Sequence, residues 1–197
     1  MLKGLILGIL LTLLLLAGAV YYYFSSGHAP VATSAPAMPL ERKLAKMAQD
    51  SYLGRLPHPQ PQVAADEANL IAGARVYKEQ CAVCHSLPGE PKSAVSQGMF
   101  PKPPELFKGV GVTDDEPWES YWKIENGIRM TGMPGFKSQL TEKQIWQVAM
   151  LVKTADKITE PVKKELQAGN ATPMSMAMDD MSATPKGAPK SATPKKK

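Results

Sequence analysis

Cysteine is scarce in this chain: its 197 residues contain two. Both, Cys81 and Cys84, lie in one short motif, so none is left for a structural disulfide or a lipid-modified N-terminal cysteine. No second C-x-x-C and no H-x-x-x-H segment occurs, which argues against a zinc site with its usual four ligands. No strand or βαβ pattern occurs either, which argues against a thioredoxin-like dithiol enzyme.

The motif that holds both cysteines runs from Cys81 to His85 and has the spacing C-x-x-C-H. This spacing is typical of c-type haem attachment, in which two thiols bond the haem vinyl groups and the adjacent imidazole ligates the iron. The two intervening residues allow one turn of chain to present both sulfurs and the ring to one haem face. The motif therefore predicts covalent haem.

A second segment, Arg129 to Phe136, supplies a methionine between glycines and a proline. A thioether on the second axial position of a His-ligated haem raises its reduction potential. It must come from a loop on the opposite haem face, and Gly132 and Gly135 are expected to give that loop its backbone freedom while Pro134 stiffens it.

Together these segments resemble the class I c-type cytochromes, which are mono-haem, His/Met-ligated electron carriers, and in particular membrane-anchored bacterial members. The resemblance covers roughly residues 63–159, and a Pro-rich segment, residues 98–106, is also similar to one beside the haem in some anchored members. It implies that Cys81 and Cys84 attach one haem c, that His85 is the proximal ligand and that Met133 is the distal ligand. Met130 is the alternative distal ligand.

The resemblance also implies an all-α cytochrome c fold, with about three main helices around one covalent haem. The first is predicted from near Asp66 into the haem motif. The second is predicted from near Asp115 to Asn126, with Asp114 or Asp115 as its cap. The third opens with a capping-box pattern at Thr141. By resemblance, the first and third helices cross at Gly73, with the rings of Tyr77 and Trp146 packed in the core near the crossing.

Residues 1–24 are predicted to be a transmembrane anchor, since Leu5 to Phe24 carries no charge and would span roughly 30 Å as a helix. Lys3 ahead of it predicts a cytoplasmic N-terminus, which places the haem domain on the periplasmic side of the inner membrane. A signal peptide cleaved after Ala17-Gly18-Ala19 is the alternative.

Residues 25–62 are predicted to be an Ala/Pro-rich spacer containing one short basic amphipathic helix marked by Leu40, Leu44, Met47 and Ala48. That helix would rest on lipid, on a partner or on its own domain. His28 and His58 fall in this spacer and are expected to be solvated. Residues 160–197 are predicted to be a disordered tail rich in Lys, Pro and Met. Its run of methionines from Met174 to Met181 is a weak candidate for binding Cu(I).

The formal net charge of +5 comes from the two ends of the chain and not from the central domain, and no nucleic-acid module is present. The sequence thus predicts a one-electron carrier, not an enzyme, that passes electrons between membrane respiratory or photosynthetic redox complexes. A haem c subunit fixed in a membrane oxidoreductase complex, or less favourably a haem-based sensor, remains the alternative.

Overall fold

The computed structural model describes residues 2–108 and 114–168. Within these ranges every regular element is helical, which confirms the predicted all-α class. The helices, in chain order, are α1 Leu2–Ser25, α2 Glu41–Leu53, α3 Glu67–Gln80, α4 Ala82–His85, α5 Ala94–Gly98, α6 Pro117–Asn126, α7 Glu142–Lys153 and α8 Glu160–Gln167.

Helix α1 carries no charged residue after Lys3 and is predominantly apolar, and none of its residues is buried. It is the one helix among the described residues that is long and apolar enough to cross a membrane. A signal sequence near an N-terminus has the same length and composition, so α1 fits both of the N-terminal alternatives.

Helix α2 confirms the amphipathic helix predicted in the spacer, and the structure places it and the following connector against the central domain. The guanidinium carbon of Arg42 lies 5.6 Å from the centroid of the Phe100 ring. The rings of His58 and Trp118 stack with centroids 4.1 Å apart and an angle of 11° between their planes. His58 is exposed as expected, yet one face of its ring is covered, so residues 41–62 are more than a loose spacer.

Helices α3 and α7 cross at Gly73, as the resemblance implied. A Cβ placed on Gly73 would lie 2.7 Å from the carbonyl carbon of Gln147, closer than real Cβ atoms approach backbone. The absence of a side chain thus allows the two backbones to touch. Tyr77 and Trp146 are buried beside this crossing, which confirms that their rings pack in the core.

Helix α6 begins at Pro117, one residue after its N-cap, Glu116, whose side chain makes no capping bond. The predicted cap at Asp114 or Asp115 is therefore wrong. Asp115, two residues before α6, instead forms an ion pair with Lys123 of α6, with an Nζ to Oδ2 distance of 2.6 Å. Helix α7 does carry the predicted capping box between Thr141 and Gln144.

Helix α8 corrects the prediction of a disordered tail from residue 160 onward. Val162 and Leu166 lie four residues apart, on one helix face, and both are fully buried. Helix α8 packs against α3, where Lys78 donates to Glu165 at 2.8 Å. A single i, i+4 pair of apolar residues is too short a pattern to predict a buried helix within a charged, Pro-containing stretch. The Met174–Met181 run and the lysines from Lys186 to Lys197 lie outside the described residues.

The core is built by α3, α6, α7 and α8. Its buried apolar residues are Leu70, Ala74, Val76, Tyr77, Ile124, Phe136, Ile145, Trp146, Val148, Ala149, Leu151, Val152, Val162 and Leu166.

Candidate functional site

The C-x-x-C-H motif forms a single helical turn directly after α3. Cys81 ends α3 and precedes α4, and its carbonyl oxygen accepts from the backbone N–H groups of Cys84 and His85 at 3.0 and 2.9 Å. Both cysteines are free and partly buried. One turn of backbone therefore presents two thiols and an imidazole together, as the sequence predicted.

The thiol of Cys81 is unsuited to dithiol redox catalysis. Burial, and secondarily the neighbouring Cys84, raises the pKa of Cys81 to about 12. A nucleophilic cysteine needs a pKa lowered toward neutrality, so that the thiolate is present. Cys81 is protonated at neutral pH, which disfavours a thioredoxin-like activity and leaves a thiol available for addition to a vinyl group.

The imidazole of His85 is oriented by the Pro-rich segment. Its Nδ1 lies 2.8 Å from the carbonyl oxygen of Pro104. Because a carbonyl oxygen only accepts, Nδ1 must carry the proton, and Nε2 is left with a free lone pair. Burial lowers the pKa of His85, although the bond to Pro104 opposes this, so the ring is favoured in its neutral form. A neutral imidazole held by a backbone carbonyl on one nitrogen is the form in which histidine binds metals.

The loop from Gly127 to Gly135 holds the candidate distal methionine. Its backbone is closed by a bond from Ile128 N to Met133 O at 3.2 Å, and Met133 N donates to Thr131 Oγ1 at 3.1 Å. Met133 is partly buried and packs on the hydrophobic core. Met130, in contrast, is 79% exposed. This difference in burial favours Met133 over Met130 as the inward-facing thioether.

The residues of this loop with positive φ angles are not the two glycines that the sequence analysis expected. Positive φ angles occur at Gly127 (70°) and Met130 (62°), and not at Gly132 or Gly135. Gly135 is instead required by crowding, since a Cβ there would lie 2.7 Å from the carbonyl carbon of Asn126. At Gly132 a Cβ would collide with the terminal methyl group of Met99.

These side chains fit a covalently attached haem. Cys81 and Met133 both pack at the edge of the same hydrophobic core, and Leu87, Leu106 and Phe107 line it beside them. The donors are two thiols, an imidazole with a free Nε2 and a thioether, which is the donor set of a His/Met haem c. Over residues 2–108 and 114–168, no group of three or more His, Cys, Asp or Glu side chains is arranged to hold a metal ion.

Comparison with known protein families finds a match to this region. Residues 68–152 match the family model described as Cytochrome C oxidase, cbb3-type, subunit III, and the match covers less than half of the chain. The match is to a c-type cytochrome domain. It implies covalently bound haem c and haem-based electron transfer, and the all-helical fold is consistent with such a domain.

No curated protein matches the chain. Among solved structures, a chain of the Kuenenia stuttgartiensis reducing HAO-like protein complex matches with 22% sequence identity and a TM-score of 0.43. The match covers 54% of this chain and 54% of that one, so the present chain spans about half the length of that protein.

Two contacts of the cytochrome domain were not foreseen from the sequence. The first is the bond from His85 to Pro104, although the resemblance implies that the Pro-rich segment lies beside the haem. The second is the contact between Met99 and Gly132. The sequence offers one indication of this contact, the run Gly98-Met99-Phe100-Pro101. Nothing in that run, however, predicts that Met99 contacts Gly132.

Proposed function

We propose that this protein is a mono-haem c-type cytochrome that carries one electron at a time between larger membrane redox complexes. In this proposal Cys81 and Cys84 attach the haem, His85 ligates the iron through Nε2, and Met133 supplies the distal thioether. The observation that carries the proposal is the hydrogen bond from His85 Nδ1 to Pro104 in a turn that also presents both thiols. That bond fixes the tautomer and the ring orientation that an axial ligand needs.

The bound haem supplies an iron centre that alternates between the ferrous and ferric states. The chain's own residues set how that centre behaves. Pro104 holds the His85 ring, and the hydrogen bonds of the 127–135 loop hold Met133. If His85 and Met133 both held the iron, no iron position would remain for a substrate or for O₂, so the proposal includes no enzymatic reaction by this chain.

Attachment is tested on the matured protein. Haem should stay with the chain through denaturing gel electrophoresis and through acid–acetone extraction, because thioether bonds survive both. Cys81→Ser and Cys84→Ser, each leaving one thiol, should give a single attachment, visible as a shift of the ferrous absorption band. Complete extraction of haem from the wild-type protein would refute the proposed attachment.

Ligation is tested with a matched pair of methionine variants. Met133→Ala should abolish the weak sulfur-to-iron band at the red end of the oxidised spectrum and lower the reduction potential, because a thioether favours ferrous iron. Met130→Ala is the control and should leave both unchanged, since Met130 is 79% exposed. The reverse result would make Met130 the ligand.

We further propose that α1 is an uncleaved anchor in the inner membrane and that the cytochrome domain lies on its periplasmic side. The support is the uncharged apolar stretch from Leu5 to Phe24, which follows Lys3 within the 24-residue helix α1. Mass spectrometry of the mature protein should recover the N-terminal segment. A chain that begins near Val20 would instead establish a cleaved signal peptide and a soluble carrier.

A haem subunit fixed in a membrane oxidoreductase complex is the second candidate function. It is favoured by the description of the matching family model, which is that of an oxidase subunit. Purification in mild detergent separates the two: a fixed subunit co-migrates with its partners in constant ratio, whereas a carrier dissociates. A haem-based sensor, the less favoured alternative, would bind carbon monoxide readily in the ferrous state.

The proposal for the Met174–Met181 run is weaker and concerns residues outside those described by the structure. A competition titration against a Cu(I) chelator, with intact and Met-to-Ser tails, tests it. Equal copper binding by both would show that these methionines do not bind Cu(I).

A further inference from the structure

The two proposed axial ligands are positioned by separate loops, although His85 itself lies in α4, and Met99 connects those loops. One is the Pro-rich segment, whose Pro104 carbonyl holds His85. The other is the 127–135 loop that carries Met133. Met99, five residues before Pro104, reaches across so that its terminal methyl group blocks the space where a Cβ of Gly132 would stand. The Met99 sulfur lies 3.6 Å from that same position.

Met99 is itself well fixed at its backbone. It caps the C-terminus of α5, where its N–H donates to Ser96 O at 3.4 Å. Ser93, the N-cap of α5, donates its hydroxyl to the carbonyl of Val83, which lies between the two cysteines. The short helix thus ties Met99 to the haem-attachment turn. The next residue, Phe100, is covered from outside by the guanidinium of Arg42.

A glycine at position 132 is explained by the contact with Met99 and not by a positive φ angle. Its φ is not positive, so an L-residue could adopt its conformation without strain. The three nearest atoms that a Cβ would meet there belong to the Met99 side chain. Gly132, which directly precedes Met133, therefore leaves room for the Met99 side chain.

From this geometry we propose that Met99 is a positioning residue for Met133. Its side chain braces Gly132, so that the 127–135 loop stays closed over the distal face and Met133 stays in place. The inference rests on the proposed function, because it takes Met133 as the distal ligand. Without the brace, the loop opens more often, and an external ligand reaches the position that Met133 leaves.

The test uses imidazole as the external ligand, titrated into the oxidised full-length protein in detergent and followed by loss of the sulfur-to-iron band. Removing a packed methionine side chain should raise the fraction of molecules in which the 127–135 loop is open. The Met99→Ala protein should therefore bind imidazole about tenfold more tightly than wild type. Met99→Leu keeps most of the packing volume and should stay within about twofold of wild type. Met130→Ala removes the same atoms from an exposed position of the same loop and should not change the affinity.

A second variant tests the contact without removing Met99. Gly132→Ala should displace the flexible end of Met99 and tighten imidazole binding. In the double variant Met99→Ala/Gly132→Ala, the new methyl group occupies the space that Met99 vacates. The fold increase in imidazole affinity of the double variant should therefore be smaller than the product of the two single increases. Should Met99→Ala fail to mature with haem, Gly132→Ala and Met99→Leu still decide the proposal.

Wild-type affinity for imidazole in both Met99→Ala and Gly132→Ala would overturn the proposal, as would an equal effect of Met130→Ala. An effect of Met99→Leu as large as that of Met99→Ala would also overturn it, because the sulfur and not the packing would then matter. Failure of the proposed function looks different: the wild-type protein would lack the sulfur-to-iron band before any variant is compared.

Discussion

The crossing of α3 and α7 at Gly73 gives the sharpest test of how this domain is held together. Gly73→Ala should gain about 1 kcal/mol from helix propensity, since alanine is the better helix former. Against this, the new Cβ would stand 2.7 Å from the carbonyl carbon and 3.2 Å from the next backbone nitrogen of α7. Backbone atoms cannot rotate away as a side chain tip can. The helices must separate, and overpacking of this kind costs up to about 3 kcal/mol.

The expected net loss is therefore about 2 kcal/mol, which lowers the melting temperature of a domain of this size by on the order of 10 °C. Gly98→Ala is the matched control, because it makes the same chemical change in a helix where a Cβ meets nothing within 4 Å. It should be neutral or slightly stabilising.

The assay is urea unfolding of the oxidised full-length protein in detergent, followed by tryptophan fluorescence. The buried Trp146 on α7, stacked on Tyr121 with centroids 4.3 Å apart, reports directly on the crossing. A Gly73→Ala protein as stable as wild type would refute the reasoning, since α3 and α7 would then not be in backbone contact in solution.

Three further changes have expected outcomes. Ser86→Gly should stabilise the domain by about 1 kcal/mol in urea unfolding, because Ser86 adopts φ 62° and ψ 166°, a region that glycine alone enters freely; a loss of stability would contradict this. Leu166→Ala should destabilise it by about 3 kcal/mol because Leu166 is fully buried, and exposed Gln167→Ala should not. Glu165→Gln should reduce stability at pH 7, and the difference from wild type should shrink as the pH is lowered below about 4.3. The hydrogen bond from Lys78, with a smaller contribution from Arg75, lowers the pKa of Glu165. A group with a lowered folded pKa contributes stability above its unfolded pKa of about 4.3 and loses it as the pH falls through the folded value. Equal pH profiles for the two proteins would exclude the ion pair.

Several features were predictable because the signals for them are local. The capping box at Thr141 and the helix stop at Gly127 depend on residues within a few positions of each other, and the structure shows both. The prediction of Asp114 or Asp115 as the cap of α6 failed for the opposite reason. Three acidic residues in a row offer several caps, and the ion pair between Asp115 and Lys123 removes one of them from consideration.

The sequence by itself determined the chemistry of the C-x-x-C-H turn, because two thiols and an imidazole within one helical turn need no distant residue to bring them together. It also determined the apolar character of α1 from composition alone. Tertiary structure alone decided which nitrogen of His85 is free, since Pro104 lies on another segment. It also decided that Met99 meets Gly132, and that α8 packs on α3. These contacts join residues far apart in the chain, and their partners are set by how the helices pack and not by any local pattern.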